Sequence, residues 1–277
     1  MRILIVIILL IIIYLYLIAP SLKKDLSPFR GRYYAHRGLF DNTSQAPENS
    51  LAAFKKAVDA SYGIEFDVQL TGDGKAVICH DFDLKRMYRD SDGNAVHKQI
   101  DALTYEELQA FHILDSEERM PLFKEALELI DGKVPLIIEL KVKSSTRDMR
   151  LCETVDEILK DYKGLYCIES FDPRVLYRYR KKRPDIIRGQ LSMDYHRADR
   201  RRFKSFIYVF MTYLLTDFLT RPDFIAYDHR HKRNLSRVLC HSLFRGTAVA
   251  YTIKSQKELD EDRDDFDIFI FDSFIPH

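Results

Sequence analysis

In the stretch AHRGLFDNTSQAPENSLAAF, residues 35–54, a titratable ring, His36, and a fixed cation, Arg37, stand beside a glycine at the end of a short β-like run. The chain then enters a helix through Pro47, Glu48, Asn49 and Ser50. In GIEFDVQ, strand alternation puts Glu65, Asp67 and Gln69 on one face and Ile64, Phe66 and Val68 on the other. Two inward carboxylates about 7 Å apart at Cα repel each other and do not stay buried unpaired. A hard divalent cation with oxygen ligands resolves that conflict. LTGDGK makes a tight turn at Gly72, Asp73 and Gly74, and the hairpin returns His80 of AVICHD near the level of Glu65. In PLIIELK, Glu139 and Lys141 share another strand face. Three carboxylates, Glu65, Asp67 and Glu139, suit one Ca²⁺ or Mg²⁺ with positions left for substrate oxygens. Arg37 and Lys141 suit an anionic group, and two imidazoles act as base and acid in one step. The combination reads as a metal-assisted phosphodiester or phosphoryl hydrolase.

These residues need strands to carry them. Short β-like runs fall at 32–36, 63–70, 76–80, 134–141, 165–170, 186–191, 223–227, 247–253 and 267–271. Helical patterns lie between them, near 49–60, 104–112, 122–130, 147–161, 173–181, 200–219, 234–243 and 254–261. With 76–80 set aside as a hairpin partner, eight βα units remain. That alternation predicts a parallel sheet covered by helices, an α/β (β/α)8 TIM barrel over 32–277. The open doubly wound sheet is the alternative, but no glycine-rich phosphate loop follows the first strand.

The chain has 277 residues, 43 Lys and Arg against 42 Asp and Glu, and a net charge of +1, which gives no reason to expect a nucleic-acid partner. Cys79, Cys152, Cys167 and Cys240 show no metal-ligand spacing and read as buried free thiols, which favours a reducing compartment. Residues 3–19 are uncharged and almost wholly apolar. They read as a retained N-terminal transmembrane helix over 1–20, followed by a juxtamembrane linker at 21–31; a signal peptide is the competing reading. Lys23, Lys24, Arg30 and Arg32 after the segment favour a body on the cytoplasmic side by the positive-inside bias, with an extracytoplasmic body as the alternative. Residues 174–204 hold twelve Lys or Arg and run into the apolar FIYVFMTYLLTDFL at 206–219. That pairing suggests a helix lying on membrane lipids, with a covering loop or dimer partner as the alternative. YDHRH, 227–231, reads as an exposed loop in preference to a second metal site.

Taken in order, HRG with PENS and AF, then GIEFDVQLTGDGKAVICHD, then IIELK resemble the glycerophosphodiester phosphodiesterase family, from about residue 33 to 272. The resemblance implies a (β/α)8 barrel with His36 and His80 as the catalytic pair, Glu65, Asp67 and Glu139 as metal ligands, and Arg37 and Lys141 on the substrate phosphate. Glu48 falls in the family motif as a metal-adjacent carboxylate; its other role is a first-turn acid on a helix. The implied reaction is hydrolysis of a glycerophosphodiester to glycerol 3-phosphate and an alcohol. In it a glycerol hydroxyl attacks phosphorus, one histidine takes its proton, the other protonates the leaving alcohol, and water opens the cyclic phosphate. Tyr251 stands where the family usually has tryptophan, and the last strand follows an acidic stretch without the usual glycine. The family's insertion after the second strand looks short. The first two departures touch the substrate wall, the short insertion leaves the alcohol open, and a lysophospholipid substrate is the close rival. A non-enzymatic membrane adaptor on the same barrel is the competing class, and the intact His36, His80, Glu65, Asp67 and Glu139 argue against it. Oligomeric state is not legible.

Overall fold

A computed structural model describes residues 1–198 and 206–277. Its elements are α1 (Arg2–Ile18), β1 (Tyr33–His36), α2 (Leu51–Asp59), β2 (Gly63–Leu70), β3 (Ala76–Ile78), β4 (Tyr88–Arg89), α3 (Tyr105–Leu108), β5 (His112–Ile113), α4 (Phe123–Ile130), β6 (Leu136–Leu140), α5 (Arg150–Leu159) and β7 (Tyr166–Ser170). There follow α6 (Pro173–Lys182), β8 (Arg188–Ser192), α7 (Tyr195–Ala198), α8 (Phe206–Thr212), α9 (Asp217–Thr220), β9 (Phe224–Asp228), α10 (Leu235–Ser242), β10 (Thr247–Ile253), α11 (Gln256–Asp262) and β11 (Ile268–Phe271). All eight expected parallel strands form, and the sheet order β1-β11-β10-β9-β8-β7-β6-β2-β3, with β1 also paired to β2, is that of an α/β barrel with β3 as a hairpin appendage.

The chain divides into two compact units, one of residues 1–31, 170–253 and 257–269, the other of 32–169, 254–256 and 270–277. In the second unit β2 is the central strand. It pairs in parallel with β1, His36 opposite Glu65, and with β6, Asp67 opposite Glu139. It pairs antiparallel with β3, Val68 opposite Ile78. The outer face of β2 is fixed by Phe66, whose ring lies 5.3 Å from Phe54 on α2 and 6.0 Å from Phe123 on α4. With the apolar residues committed to the helices, the pleat turns Glu65, Asp67 and Gln69 the other way. Ser50 caps α2, its hydroxyl accepting from the Ala53 amide at 3.1 Å. Before that helix the chain leaves β1 through Gly38 at φ +84°, where a Cβ would sit 2.9 Å from Ala53 and Phe54.

Between β3 and α4 the chain builds a substructure that the periodicity did not show. The two-stranded β4–β5 sheet and a cluster that includes Leu84, Tyr88, Ile100, Leu108 and Ile113 give this stretch its own small core. The helix expected at 104–112 shortens to α3, closed by a Thr104–Glu107 capping box.

In the first unit β8, β9 and β10 are parallel neighbours. Here two expectations fail. The helix expected over 200–219 is not continuous: residues 199–205 lie outside the described residues, and from Phe206 onward α8 and α9 are separated by a break in which Leu214 has φ 55°. The transmembrane helix expected over 1–20 fails on length. α1 has 17 residues, rising about 25 Å against a hydrocarbon core of about 30 Å, and among the described residues no helix is long and apolar enough to cross a membrane. Residues 21–31, read as a juxtamembrane linker, are packed. Leu26 and Phe29 are buried, the Ser21 amide donates to Pro222 O at 2.7 Å, and Lys24 pairs with Asp223 at 3.4 Å. The root of α1 is seated too: the Tyr14 and Ser236 hydroxyls are 2.7 Å apart, and the Arg221 guanidinium lies over the Tyr16 ring.

Replacing Gly38 with alanine adds a methyl group where none fits and holds it at a left-handed φ. The expected loss is about 1–3 kcal/mol, read as a lower urea midpoint with an unchanged slope; an unchanged midpoint would show that the β1–α2 turn shifts at little cost.

Candidate active site

The residues singled out for chemistry, Tyr251 apart, all lie in the second unit and come together there. Glu65, Asp67 and Glu139 each offer an oxygen, all within 4.8 Å of one another, and all three are buried. β2 supplies two of them by its pleat. β6 supplies the third because its register sets Glu139 beside Asp67. Lys141 Nζ lies 2.9 Å from Glu139 and 3.2 Å from Asp67. Arg37 Nε faces Asp67 at 3.5 Å without a hydrogen-bond partner, leaving a buried donor directed at the carboxylates.

The environment sorts the carboxyls. Burial raises Glu65 well above the ordinary range, and the charge of Asp67 raises it further. Burial also raises Glu139, despite Lys141. For Asp67 burial is outweighed by Lys141, His80 and Arg37 and by the 2.9 Å hydrogen bond from Asn49, so it is held well below the ordinary range. Carboxyls that repel one another, beside one that stays ionised, form a donor set short of positive charge. All the donors are hard oxygens. That fits a divalent cation such as Ca²⁺ or Mg²⁺.

Each histidine has its own carboxylate. His36 Nδ1 is 2.9 Å from Asp272 Oδ2, and His80 Nδ1 is 2.7 Å from Asp81 Oδ1. A ring tied at Nδ1 presents Nε2 for proton transfer; His36 Nε2 is 3.9 Å from Glu65. Burial lowers the His36 pKa, more than the Asp272 hydrogen bond raises it, so the ring is neutral and able to accept a proton. The hairpin positions His80 as expected: the Cys79 amide donates to Asp67 O, and Gln69 Nε2 donates to the carbonyls of Cys79, His80 and Asp81.

Glu48 is a hub. Its carboxylate accepts from Arg37 at 2.6 Å, from Asn42 at 3.2 Å and from both terminal nitrogens of Arg86, at 2.9 and 2.6 Å, while Arg86 Nε reaches Asp81 at 2.6 Å. An unbroken chain therefore runs from Arg37 through Glu48, Arg86 and Asp81 to His80. Glu48 is not a free first-turn acid of α2; Ser50 caps that helix. Sequence reasoning missed Asp81, Arg86, Asp272, Asn49 as a partner of Asp67, and Glu169. Asp81 adjoins His80, and Glu169 in YCIES carries the same signal that found Glu139, an acid within a strand. Nothing local points to Arg86 or Asp272.

Tyr251 lies in the first unit, its hydroxyl donating to Ser192 O at 2.6 Å and its ring edge-on to Phe171. In the YDHRH stretch, expected to be exposed, Arg230 is exposed but His229 is buried with Nδ1 2.7 Å from Asp262, and Asp228 holds Arg230. The four cysteines are free and buried, as expected.

The sequence matches the glycerophosphoryl diester phosphodiesterase family over residues 36–238. A glycerophosphodiester phosphodiesterase of Bacillus altitudinis is 31% identical over 173 residues, 59% of this chain and 67% of that protein. The human glycerophosphodiester phosphodiesterase 1 is 28% identical over 202 residues, 65% of this chain but only 57% of its own length. Among solved structures, an Oleispira antarctica phosphodiesterase in complex with the product sn-glycerol-3-phosphate is similar in fold, with a TM-score of 0.69 and 24% identity over 88% of this chain and 94% of that one.

The Glu48 carboxyl sets a measurable pH dependence. Burial would raise it, but the Arg86 hydrogen bonds and the Arg37 charge lower it to about 2. A carboxyl depressed in the folded state stabilises fully above its ordinary pKa of about 4.3 and loses that contribution as pH falls toward the folded value. Glu48→Gln should therefore cost about 3 kcal/mol at neutral pH, with the gap to the wild type narrowing between pH 5 and 3 in urea titrations. A gap independent of pH would mean that packing, not charge, is what Glu48 contributes.

Proposed function

The chain belongs to the glycerophosphoryl diester phosphodiesterase family, and from that premise we propose that it hydrolyses a glycerophosphodiester to glycerol 3-phosphate and an alcohol with the help of a divalent cation. The observation that carries this reading is the buried triad of Glu65, Asp67 and Glu139 beside two histidines, each aligned by its own aspartate. The product bound to the Oleispira relative is of the class named.

In this reading Arg37 and Lys141 bind the phosphoryl oxygens. Both are already held by Asp67, so their charge is fixed in place before substrate arrives. A cation held by Glu65, Asp67 and Glu139 supplies Lewis-acid stabilisation of the charge on those oxygens. His36, neutral and tied to Asp272, takes the proton of the attacking glycerol hydroxyl as the new O–P bond forms. His80, tied to Asp81, gives its proton to the departing alkoxide as the old P–O bond breaks. Water then opens the cyclic phosphate with the two rings in exchanged roles. Glu48 touches no reacting atom and positions both sides, through Arg37 and through Arg86–Asp81.

One observation favours a lipid-derived diester, such as a lysophospholipid, over a freely soluble one. α1 bears apolar side chains on every face, and from Ile3 to Ile13 each is about half exposed or more. A protein groove covers one stripe of a helix, whereas lipid covers all of it. Those eleven residues rise about 16 Å, near half of a hydrocarbon core of about 30 Å, which suits insertion into one leaflet without crossing.

Activity on glycerophosphocholine and glycerophosphoglycerol should require Ca²⁺ or Mg²⁺ and vanish on chelation, and His36→Ala and His80→Ala should each lower kcat by about 10²- to 10⁴-fold with the fold intact. Wild-type turnover in either variant would sink the histidine-pair reading. For the lipid reading, the full chain should co-float with phospholipid vesicles and an Ile7→Lys, Ile11→Lys double variant should not; equal flotation of the two would remove α1 as the lipid contact.

A further inference from the structure

Glu169 is the group that the reaction above leaves without a task. It is the penultimate residue of β7, it is 1% exposed, and register sets it directly beside Glu139. In-register neighbours on parallel strands face the same side of the sheet, about 4.8 Å apart. Asp67, Glu139 and Glu169 thus form one row across β2, β6 and β7. The partners of the row are unevenly shared. Asp67 has Lys141, Arg37 and Asn49, and Glu139 has Lys141. Glu169 Oε2 is buried and has no hydrogen-bond partner.

The charge count leads the same way. Glu65, Asp67, Glu139 and Glu169 are four acidic groups facing two cations, Arg37 and Lys141, and Arg37 is shared with Glu48. A divalent ion would offset much of that deficit. Yet Glu169 is not one of the three residues whose oxygens converge within 4.8 Å, so an ion held by those three would not take Glu169 as a fourth direct ligand. A hard cation in a site with three carboxylates keeps water ligands, whose hydrogens need acceptors.

We infer that Glu169 is a further positioning residue of the cation site, accepting a hydrogen bond from a water ligand of the ion held by Glu65, Asp67 and Glu139. The inference rests on the metal-dependent reading above and assigns it a residue outside the triad. It also explains why a strand position that could carry any apolar side chain carries a buried acid with nothing to hold.

The test is ion binding without substrate. Calorimetric titration of Ca²⁺ and Mg²⁺ into wild type, Glu169→Gln, Glu169→Asp and Asp67→Asn separates the roles. Glu169→Gln keeps the volume and removes the charge, and it should weaken the ion by about 10- to 100-fold while the ion-free protein melts no lower than wild type. Glu169→Asp keeps the charge and shortens the reach, so it should weaken the ion less than Gln does. A merely structural Glu169 gives the opposite order, with the isosteric Gln like wild type and the shorter Asp the more disruptive. Wild-type affinity in Glu169→Gln, with binding lost in Asp67→Asn, overturns this inference and leaves the proposed function standing. A wild-type protein that binds neither ion overturns both.

Discussion

The rest of the site depends on a conflict of charge: four carboxyl groups are turned into the interior of one sheet, and two fixed cations answer them. The conflict is a direct consequence of strand geometry. Phe66, locked between Phe54 and Phe123, decides which way β2 faces, and a slip of one residue would send Glu65 and Asp67 into the helices. The same packing that stabilises the core therefore keeps the acids where they are costly. Left unresolved, such a cluster would be removed by protonation or by opening of the fold. The sorting of the carboxyls, Glu65 and Glu139 raised and Asp67 lowered, shows how the protein holds the set together before any ion is considered: one member stays charged and anchors both Lys141 and Arg37.

That anchoring explains why the cations are positioned rather than merely present. Burial works against a charged Lys141, but Glu139 and Asp67 outweigh it, so the ammonium stays charged in a dry site. Arg37 is held from two sides, by Glu48 through one terminal nitrogen and by Asp67 at Nε, at a residue whose φ of 57° lies in the left-handed region. Non-glycine residues in that region are uncommon and persist where surrounding contacts over-determine them. Here the surrounding contacts are the Arg37 amide on Glu65 O at 2.7 Å and the Asn49 amide on Arg37 O at 2.9 Å. The strained turn, the paired cation and the PENS helix entry are one construction, since Glu48 and Asn49 of that entry hold Arg37 and Asp67 respectively.

The small substructure between β3 and α4 belongs to the same logic. It contributes Arg86, which makes both terminal nitrogens available to Glu48 and Nε to Asp81. Asp81 in turn aligns His80, so the second imidazole takes its orientation from a stretch that contributes no barrel strand. A folding defect in the β4–β5 region would be felt at His80 without any change in the triad. The stretch is thus tied by hydrogen bonds to the same cluster of charged side chains as the triad.

How much of this was readable in the sequence follows from the range of the interactions. The period-two faces of β2 and β6 are local, so Glu65, Asp67, Glu139 and Lys141 were legible, and the Gly72–Gly74 turn delivered His80 by counting residues. The eight strands were legible because apolar runs alternated with amphipathic helices. Asp272 was not, because its partner His36 lies 236 positions away and only sheet closure brings them together. Glu169 carried the same local signal as Glu139 and was passed over because a lone acid in a short strand has no neighbour in sequence to give it meaning; β6–β7 register supplies that neighbour. The N-terminal segment failed for a different reason. Hydropathy measures preference for an apolar environment but not reach, and α1 stops after 17 residues, where the chain packs Ile18, Leu26 and Phe29 into the body. The end of a helix is set by what its last turn packs against, and that is a tertiary fact which composition does not contain.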